Sequence, residues 1–193
     1  MKYLPKFRFS VRTLMIITAL LCVGFGYLGL KMRRAQKQRE VVAWVQEHRG
    51  FVNHSYNYND EGVSNGFMSP VPLWLQNRGG EDFFFAVAGV YLSGGFNSDL
   101  TDISPLSQFK YLKVVDIQNT QVTDLTPLAH HSKIIKLNLA GTPVTDLSPL
   151  LGMNSLRYLD LYKSNVPKEE IARIQMVLPN CEINVRSHLL SRK

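Results

Sequence analysis

Apolar and polar positions follow two regimes along this chain. Residues 13–30, TLMIITALLCVGFGYLGL, run 18 positions without a charge. From residue 86 onward the apolar positions instead return at a fixed interval. Leu112-x-x-Val115-x-Ile117 is repeated as Ile134-x-x-Leu137-x-Leu139, Leu156-x-x-Leu159-x-Leu161 and Leu178-x-x-Cys181-x-Ile183, each 22 residues after the last. A second motif recurs in phase: Leu100-Thr-Asp-Ile-Ser-Pro-Leu106, Val122-Thr-Asp-Leu-Thr-Pro-Leu128 and Val144-Thr-Asp-Leu-Ser-Pro-Leu150. A period of this length marks a solenoid, in which each unit buries its apolar side chains only by stacking on its neighbours.

Within a unit, the alternating pair predicts a short strand with two side chains inward and polar ones between them outward. Ser104, Thr126 and Ser148 each precede a proline. That order predicts a hydroxyl N-cap and a proline-led helical turn on the opposite side, with Leu106, Leu128 and Leu150 facing in. Val87-x-x-Val90-x-Leu92 has the same shape 25 residues before Leu112 and reads as the first coil, its extra residues forming a bulged turn at 93–98. Phe83 to Phe85 are expected to close its open end. At the other end, Ile171, Ile174, Val177 and Leu178 keep helical spacing within 167–178, with Lys168, Glu169, Glu170 and Arg173 opposite, which predicts a capping helix.

The apolar run would span roughly 27 Å as a helix, close to a hydrocarbon core of about 30 Å. Arg12 and Lys31 bracket it and can snorkel to the two interfaces. A cleaved signal peptide is the rival, but the run is long for one and no small-x-small site precedes the basic cluster. A retained transmembrane anchor over 13–30 is therefore expected, behind a basic tail at 1–12. Basic residues flank both ends, so charge barely decides the orientation. The expectation leans to the amino terminus inside and the domain outside, because carrying a charged tail across a bilayer is unfavourable. Residues 31–50 lack glycine and proline until Gly50 and predict a helical stalk, whose Val41, Val42, Trp44 and Val45 dock on the chain's own domain. Residues 51–85 form a flanking region, with a strand within 51–60, a loop over 62–72 and a helical turn at 73–76. The repeat domain occupies 86–185, and 186–193 is a tail.

Charge changes the picture by its placement. The net charge is +7. Residues 1–40 hold nine Lys/Arg and one Glu, a net of +8, whereas residues 41–193 hold thirteen Lys/Arg against fourteen Asp/Glu, a net of −1. The excess flanks the apolar run and argues against a nucleic-acid groove on the domain. Cys22 and Cys181 make no disulfide framework. His48 and His54 read as surface residues and His131 as a partly buried, hydrogen-bonded one. No phosphate loop, G-x-S-x-G or H-E-x-x-H occurs, so no catalytic residue, metal ligand, cofactor or small-molecule substrate is assigned.

The unit V-T-D-L-x-P-L-x-x-x-x-x-L-x-x-L-x-L-x-x-T resembles the 22-residue leucine-rich repeat of internalin-type bacterial proteins, over about residues 86–185. The opening FRFSVRTL and the apolar run resemble the anchor of short bacterial membrane-tethered repeat proteins. The resemblance implies an α/β solenoid with a parallel sheet on its concave face and short convex helical turns, used mainly for protein–protein contact. The family's asparagine after the L-x-L pair is replaced by Thr120, Thr142 and Ser164. A hydroxyl ladder can still bond the loop backbone.

Strands in such a stack lie about 4.8 Å apart, so outward positions form columns. One column is Tyr91, Asp116, Asn138, Asp160 and Glu182. Lys136 and Tyr158 flank it on one side, Gln118 and Tyr162 on the other. An acidic stripe beside tyrosines suits a basic, partly apolar peptide or protein surface. Asp102, Asp124 and Asp146 recur with the turn and are expected to bond local backbone. The functional expectation is a tethered binding module. A structural envelope protein working by self-association, and a secreted binder released by cleavage, are the alternatives.

Overall fold

The computed structural model describes residues 10–59, 61–64, 66, 69–76, 80–93 and 99–185. The bulged turn expected at 93–98, most of the basic tail and the 186–193 tail lie outside these residues.

Helix α1 runs unbroken through Val11–Glu47. Its apolar window has a mean hydropathy of 2.1 and is not buried anywhere in the fold. The window is therefore no core helix of a soluble domain. The later part of the same helix is different: Ala35, Val41 and Val45 are buried, and Val41 and Val45 join the main hydrophobic core, with Val42 and Trp44 packed beside them. The stalk docks on the domain as expected. Its end differs in detail. Arg49, with φ 52°, takes the left-handed position. Gly50 serves close approach instead, since a Cβ there would lie 2.6 Å from the Tyr91 carbonyl oxygen and 2.7 Å from Leu92 Cδ2.

Six strands form one sheet in chain order: β1 (Phe51–His54), β2 (Val87–Tyr91), β3 (Val114–Asp116), β4 (Lys136–Asn138), β5 (Tyr158–Asp160) and β6 (Glu182–Asn184). From β2 to β6 every pairing is parallel, and Val90, Val115, Leu137 and Leu159 sit level with one another. Parallel neighbours need a long return path, and the 22-residue unit supplies it. The sheet is not purely parallel, however. β1 pairs antiparallel with β2 and covers the edge of the first coil. The open end is thus closed by β1 and α1, and not by Phe83 to Phe85, which lie in or just past α3 (Gly80–Phe84). The short helix α2 (Leu73–Gln76) falls where a helical turn is expected.

The return paths carry 3-10 turns at Ser104–Gln108, Thr126–Leu128 and Ser148–Leu150, with Leu106, Leu128 and Leu150 fully buried. The hydroxyls of Ser104, Thr126 and Ser148 are not the caps. Instead Asp102, Asp124 and Asp146 each accept, through Oδ1, the backbone N–H two residues on, at 2.8 Å in all three units. A proline follows, so the tight turn begins one residue earlier than a hydroxyl cap would set it. Hydrogen bonds from the Ser/Thr side chain and backbone hold these three carboxyls below the usual range.

After each inner strand the chain enters the left-handed region at Asn119 (φ 54°), Gly141 (φ 66°) and Lys163 (φ 55°). The hydroxyls of Thr120, Thr142 and Ser164 then donate back to the carbonyls of Ile117, Leu139 and Leu161, at 2.7, 2.7 and 2.8 Å. This is the expected ladder, with hydroxyls where the resembling family uses asparagine.

Helix α4 (Lys168–Val177) caps the far end. Ile174 and Leu178 are buried and Ile171 packs against the core, but Val177 is exposed, contrary to its expected inward place. An α-helix rises 1.5 Å per residue against about 2 Å in a 3-10 turn, so it needs more residues to cover the same return path. The final register moves accordingly: Leu159 pairs with Ile183, 24 residues on. Cys181 remains a core residue, and burial pushes its thiol up to about 11.

Candidate functional site

The outer sheet face carries the predicted residues, but the chain covers part of it. From β1 the segment through Ser55–Asn57 and Tyr58 folds across β2 and β3. Tyr58 is only 6% exposed and clusters with Ala88, Val114 and Tyr91. Its Oη lies 2.6 Å from Tyr91 Oη and accepts from Asn53 Nδ2 at 3.1 Å. Gly89 makes room for the ring: a Cβ there would stand 2.2 Å from Tyr58 Oη. Burial and the Tyr91 hydroxyl push the Tyr58 phenol well above its ordinary value. The following turn is tied by Asn59 Oδ1, which accepts from Glu61 and Val63 N–H. Lys113 Nζ donates to the Asn59 carbonyl at 2.9 Å, and Gly62 rests over Ile135.

Tyr91 is therefore occupied, since it bonds Tyr58 and stacks on Phe51 at 4.4 Å between ring centres. Of the remaining predicted residues, Asp116, Lys136, Asn138, Tyr158, Asp160 and Glu182 lie on β3 to β6, and Gln118 and Tyr162 in the turns just after β3 and β5. Asp116, Asn138 and Asp160 are level, as expected, but the next residue in that column is Asn184, not Glu182. Glu182 pairs with Tyr158, in the column of Val114 and Lys136. The two-residue shift brought by α4 is the reason. Asn184 Nδ2 donates to Asp160 Oδ2 at 3.0 Å, a site contact that the 22-residue count assigns elsewhere.

The acidic column has a local duty as well. Oδ1 of Asp116, Asn138 and Asp160 accepts the backbone N–H of Gln118, Ala140 and Tyr162, at 3.1, 3.1 and 2.9 Å. These bonds use one oxygen each and close the strand ends. At Asp160 the other oxygen also accepts from Tyr158 Oη at 3.2 Å. At Asp116 burial pushes the carboxyl up, hydrogen bonds from Gln118 and Asn138 oppose this, and the like charge of Asp160 adds to the rise. Lys136, Gln118, Asn138 and Tyr158 are partly exposed, and Tyr162 is 40% exposed with Lys163 Nζ 5.2 Å from its ring centre. The patch thus offers two carboxylates, amides and two phenols on the strands and the turns that follow them.

A basic rim beside this patch escapes the column argument. Lys113, Lys133, Ile135, Ser155, Arg157 and Glu61 line an open depression at the entry ends of the strands. Lys133 Nζ lies 4.6 Å from the Tyr111 ring centre. The 22-step series 113, 135 and 157 was visible, but its side chains differ in type and Lys133 comes from a turn.

Of the histidines, His54 differs from expectation and His131 is buried as expected. His54 is buried, with Nε2 3.3 Å from Asp82 Oδ1. Asp82 further accepts from Gln38 and pairs with Arg39 at 3.8 Å. Burial pushes the Asp82 carboxyl up, but the His54 and Gln38 bonds and the neighbouring charges outweigh it and hold it low. His131 is buried in line with Phe109 and Met153, and desolvation lowers its pKa against an opposing hydrogen bond with the Leu106 backbone. Among the described residues no group of three His, Cys, Asp or Glu converges on a metal site.

A 22-residue repeat, level parallel strands and proline-led return turns define a leucine-rich-repeat solenoid. Among solved structures, an internalin C2 of Listeria monocytogenes is 31% identical over 45% of this chain and 38% of its own, with a TM-score of 0.42. An internalin (inlF) of the same organism is 28% identical over 52% of this chain and 28% of its own, with a TM-score of 0.45. A leucine-rich-repeat protein of Leptospira interrogans is 25% identical over 50% of this chain and 25% of its own, with a TM-score of 0.46. The chain matches well under half the length of each. No protein-family model and no curated protein matches it.

Proposed function

We propose that this chain is a membrane-tethered, internalin-type bacterial binding module. In this reading α1 holds it in a bilayer through residues 13–30, with the domain outside the cytoplasm. The uncovered half of the outer sheet face takes a basic, partly apolar protein or peptide. Leucine-rich solenoids present extended, rigid faces of this kind for partners. The observation that carries the reading is a contrast across one sheet. Tyr58 covers β2 and Val114 of β3, whereas Asp116 at the end of β3 stays partly accessible and Tyr158, Asp160 and Tyr162 lie beyond the cover. A cation seated near Asp116 would favour its charged form, which burial disfavours.

The test is photo-crosslinking from position 162 in native membranes, comparing the parent with Asp116→Asn plus Asp160→Asn, whose amide oxygens can still accept the strand-end N–H as Asn138 does. Adducts that form with the parent and vanish with the neutralised chain, at unchanged melting, support the site. Identical adducts from both chains move the site elsewhere. Adducts made only of this chain's own mass replace partner capture with self-association.

A further inference from the structure

Past its apolar window, α1 carries a second stripe. Lys31, Ala35, Gln38, Val42 and Val45 recur at i, i+4, i+7, i+11 and i+14, one face of the helix. The folded domain meets that face along its whole length. Ala35 and Val45 are buried, and Gln38 donates to Asp82 Oδ1 at 2.9 Å and to the Phe85 carbonyl at 3.1 Å. At the top of the stripe, Lys31 Nζ stands 4.7 Å from the Phe83 ring centre and 5.3 Å from that of Phe84. The contact begins at Lys31, the first residue beyond the uncharged run. The helix is unbroken there, so α3 is held at the level where α1 leaves the apolar layer.

Among the described side chains, α3 and its neighbour α2 expose large apolar groups there. Leu73 is 76%, Trp74 68% and Phe84 52% exposed. Arg33, Arg34 and Lys37 are exposed on the adjoining turns of α1. Large apolar side chains at a helix exit, with cations beside them, form the composition that sits in a bilayer interface: rings at headgroup depth and long basic chains on phosphate. A protein partner on this surface would have to share the level with headgroups.

We propose that α2 and α3 are a membrane-seating surface. Leu73, Trp74 and Phe84 enter the interfacial layer of the bilayer that α1 crosses, and Lys31, Arg33 and Arg34 lie on anionic headgroups. The domain is thereby held against the membrane at a set height and does not swing on a free stalk. This rests on the tethered reading of α1.

The full chain, reconstituted in phosphatidylcholine vesicles with phosphatidylglycerol as the minor lipid, tests it. Trp74 emission is isolated by subtracting the Trp74→Phe chain, which leaves Trp44, and is measured with lipids brominated near the headgroup and with aqueous acrylamide. Alkaline carbonate extraction of the same vesicles reports the tether. The expected result is a chain that resists extraction and a Trp74 that brominated lipid quenches and acrylamide reaches poorly. Resistance to extraction with an acrylamide-quenched, lipid-insensitive Trp74 overturns the seating and leaves the tether standing. Extraction with a lipid-quenched Trp74 overturns the tether, and with it a height set by α1, and leaves a peripheral membrane contact of α2 in its place. Extraction with an unquenched Trp74 overturns both.

Discussion

Gly89→Ala tests the covering of the outer sheet face at its tightest point. The new Cβ would lie 2.2, 2.8 and 2.9 Å from Oη, Cζ and Cε2 of Tyr58. Ordinary contact needs more than 3.4 Å, and the glycine's strand backbone cannot retreat without breaking register with Val114. Tyr58 must therefore leave. Its departure gives up the bonds to Tyr91 and Asn53, about 1 kcal/mol each, and the burial of a ring, about 1.5–3 kcal/mol. Alanine in a strand returns about 0.5–1 kcal/mol over glycine. The net loss is about 3 kcal/mol, a factor of roughly a hundred in the docking equilibrium of the segment. Amide hydrogen exchange over residues 51–64 should rise by that factor, while β4 and β5, which do not touch Tyr58, keep their protection. A double-mutant cycle isolates the cause: in a Tyr58→Ala background the same glycine substitution should cost nothing. An equal loss in both backgrounds would refute the argument, because the clash would then not be with Tyr58.

Two further outcomes follow from the same geometry. Leu137→Asp places a carboxylate at a fully buried position of the central strand, a change worth about 4–5 kcal/mol or more; cooperative melting should be lost, and a retained sharp transition would overturn the core assignment. The Tyr58 phenol is raised in the folded chain above its unfolded value of 10.0, so its contribution is whole below that pH and is lost as pH climbs from there toward the folded value; Tyr58→Phe should flatten the alkaline fall in melting temperature, and an unchanged slope would place the titration elsewhere.

The repeat was legible because each unit solves the same packing problem. Leu112, Ile134 and Leu156, and Val115, Leu137 and Leu159, are all buried where the 22-step count puts them. The count failed where a unit changes its return path. The unit that returns through α4 is two residues longer than one with a 3-10 turn, and this moved Glu182 out of the Asp116 column and brought Asn184 in. It also could not foresee how the strand expected within 51–60 would pair. A strand pairing antiparallel with the first coil is set by tertiary contact across some 35 residues, of which Phe51-Val-Asn-His54 shows only weak alternation. The cover by Tyr58 was illegible for the same reason. Its one trace in the sequence is Gly89, where the other units have Val114, Lys136 and Tyr158.

That glycine separates two kinds of position on a solenoid face. Whatever recurs at a column in every unit is explained by the unit: Asp102, Asp124 and Asp146 begin the return turns, and the Oδ1 atoms of Asp116, Asn138 and Asp160 close the strand ends. Recurrence at these columns is therefore evidence for architecture, even where the residues are charged. Variation within a column is what the repeat leaves unexplained. Gly89, Val114, Lys136 and Tyr158 share one column, and the first two are accounted for by Tyr58 lying on them. Lys136 and Tyr158 receive no such account from the fold, nor do Gln118 and Tyr162 one column over. Substituting those four should leave melting nearly unchanged and alter partner capture, whereas alanine at Asp116 or Asp160 will move both, because Oδ1 of each closes a strand end while the carboxylate carries the charge of the patch.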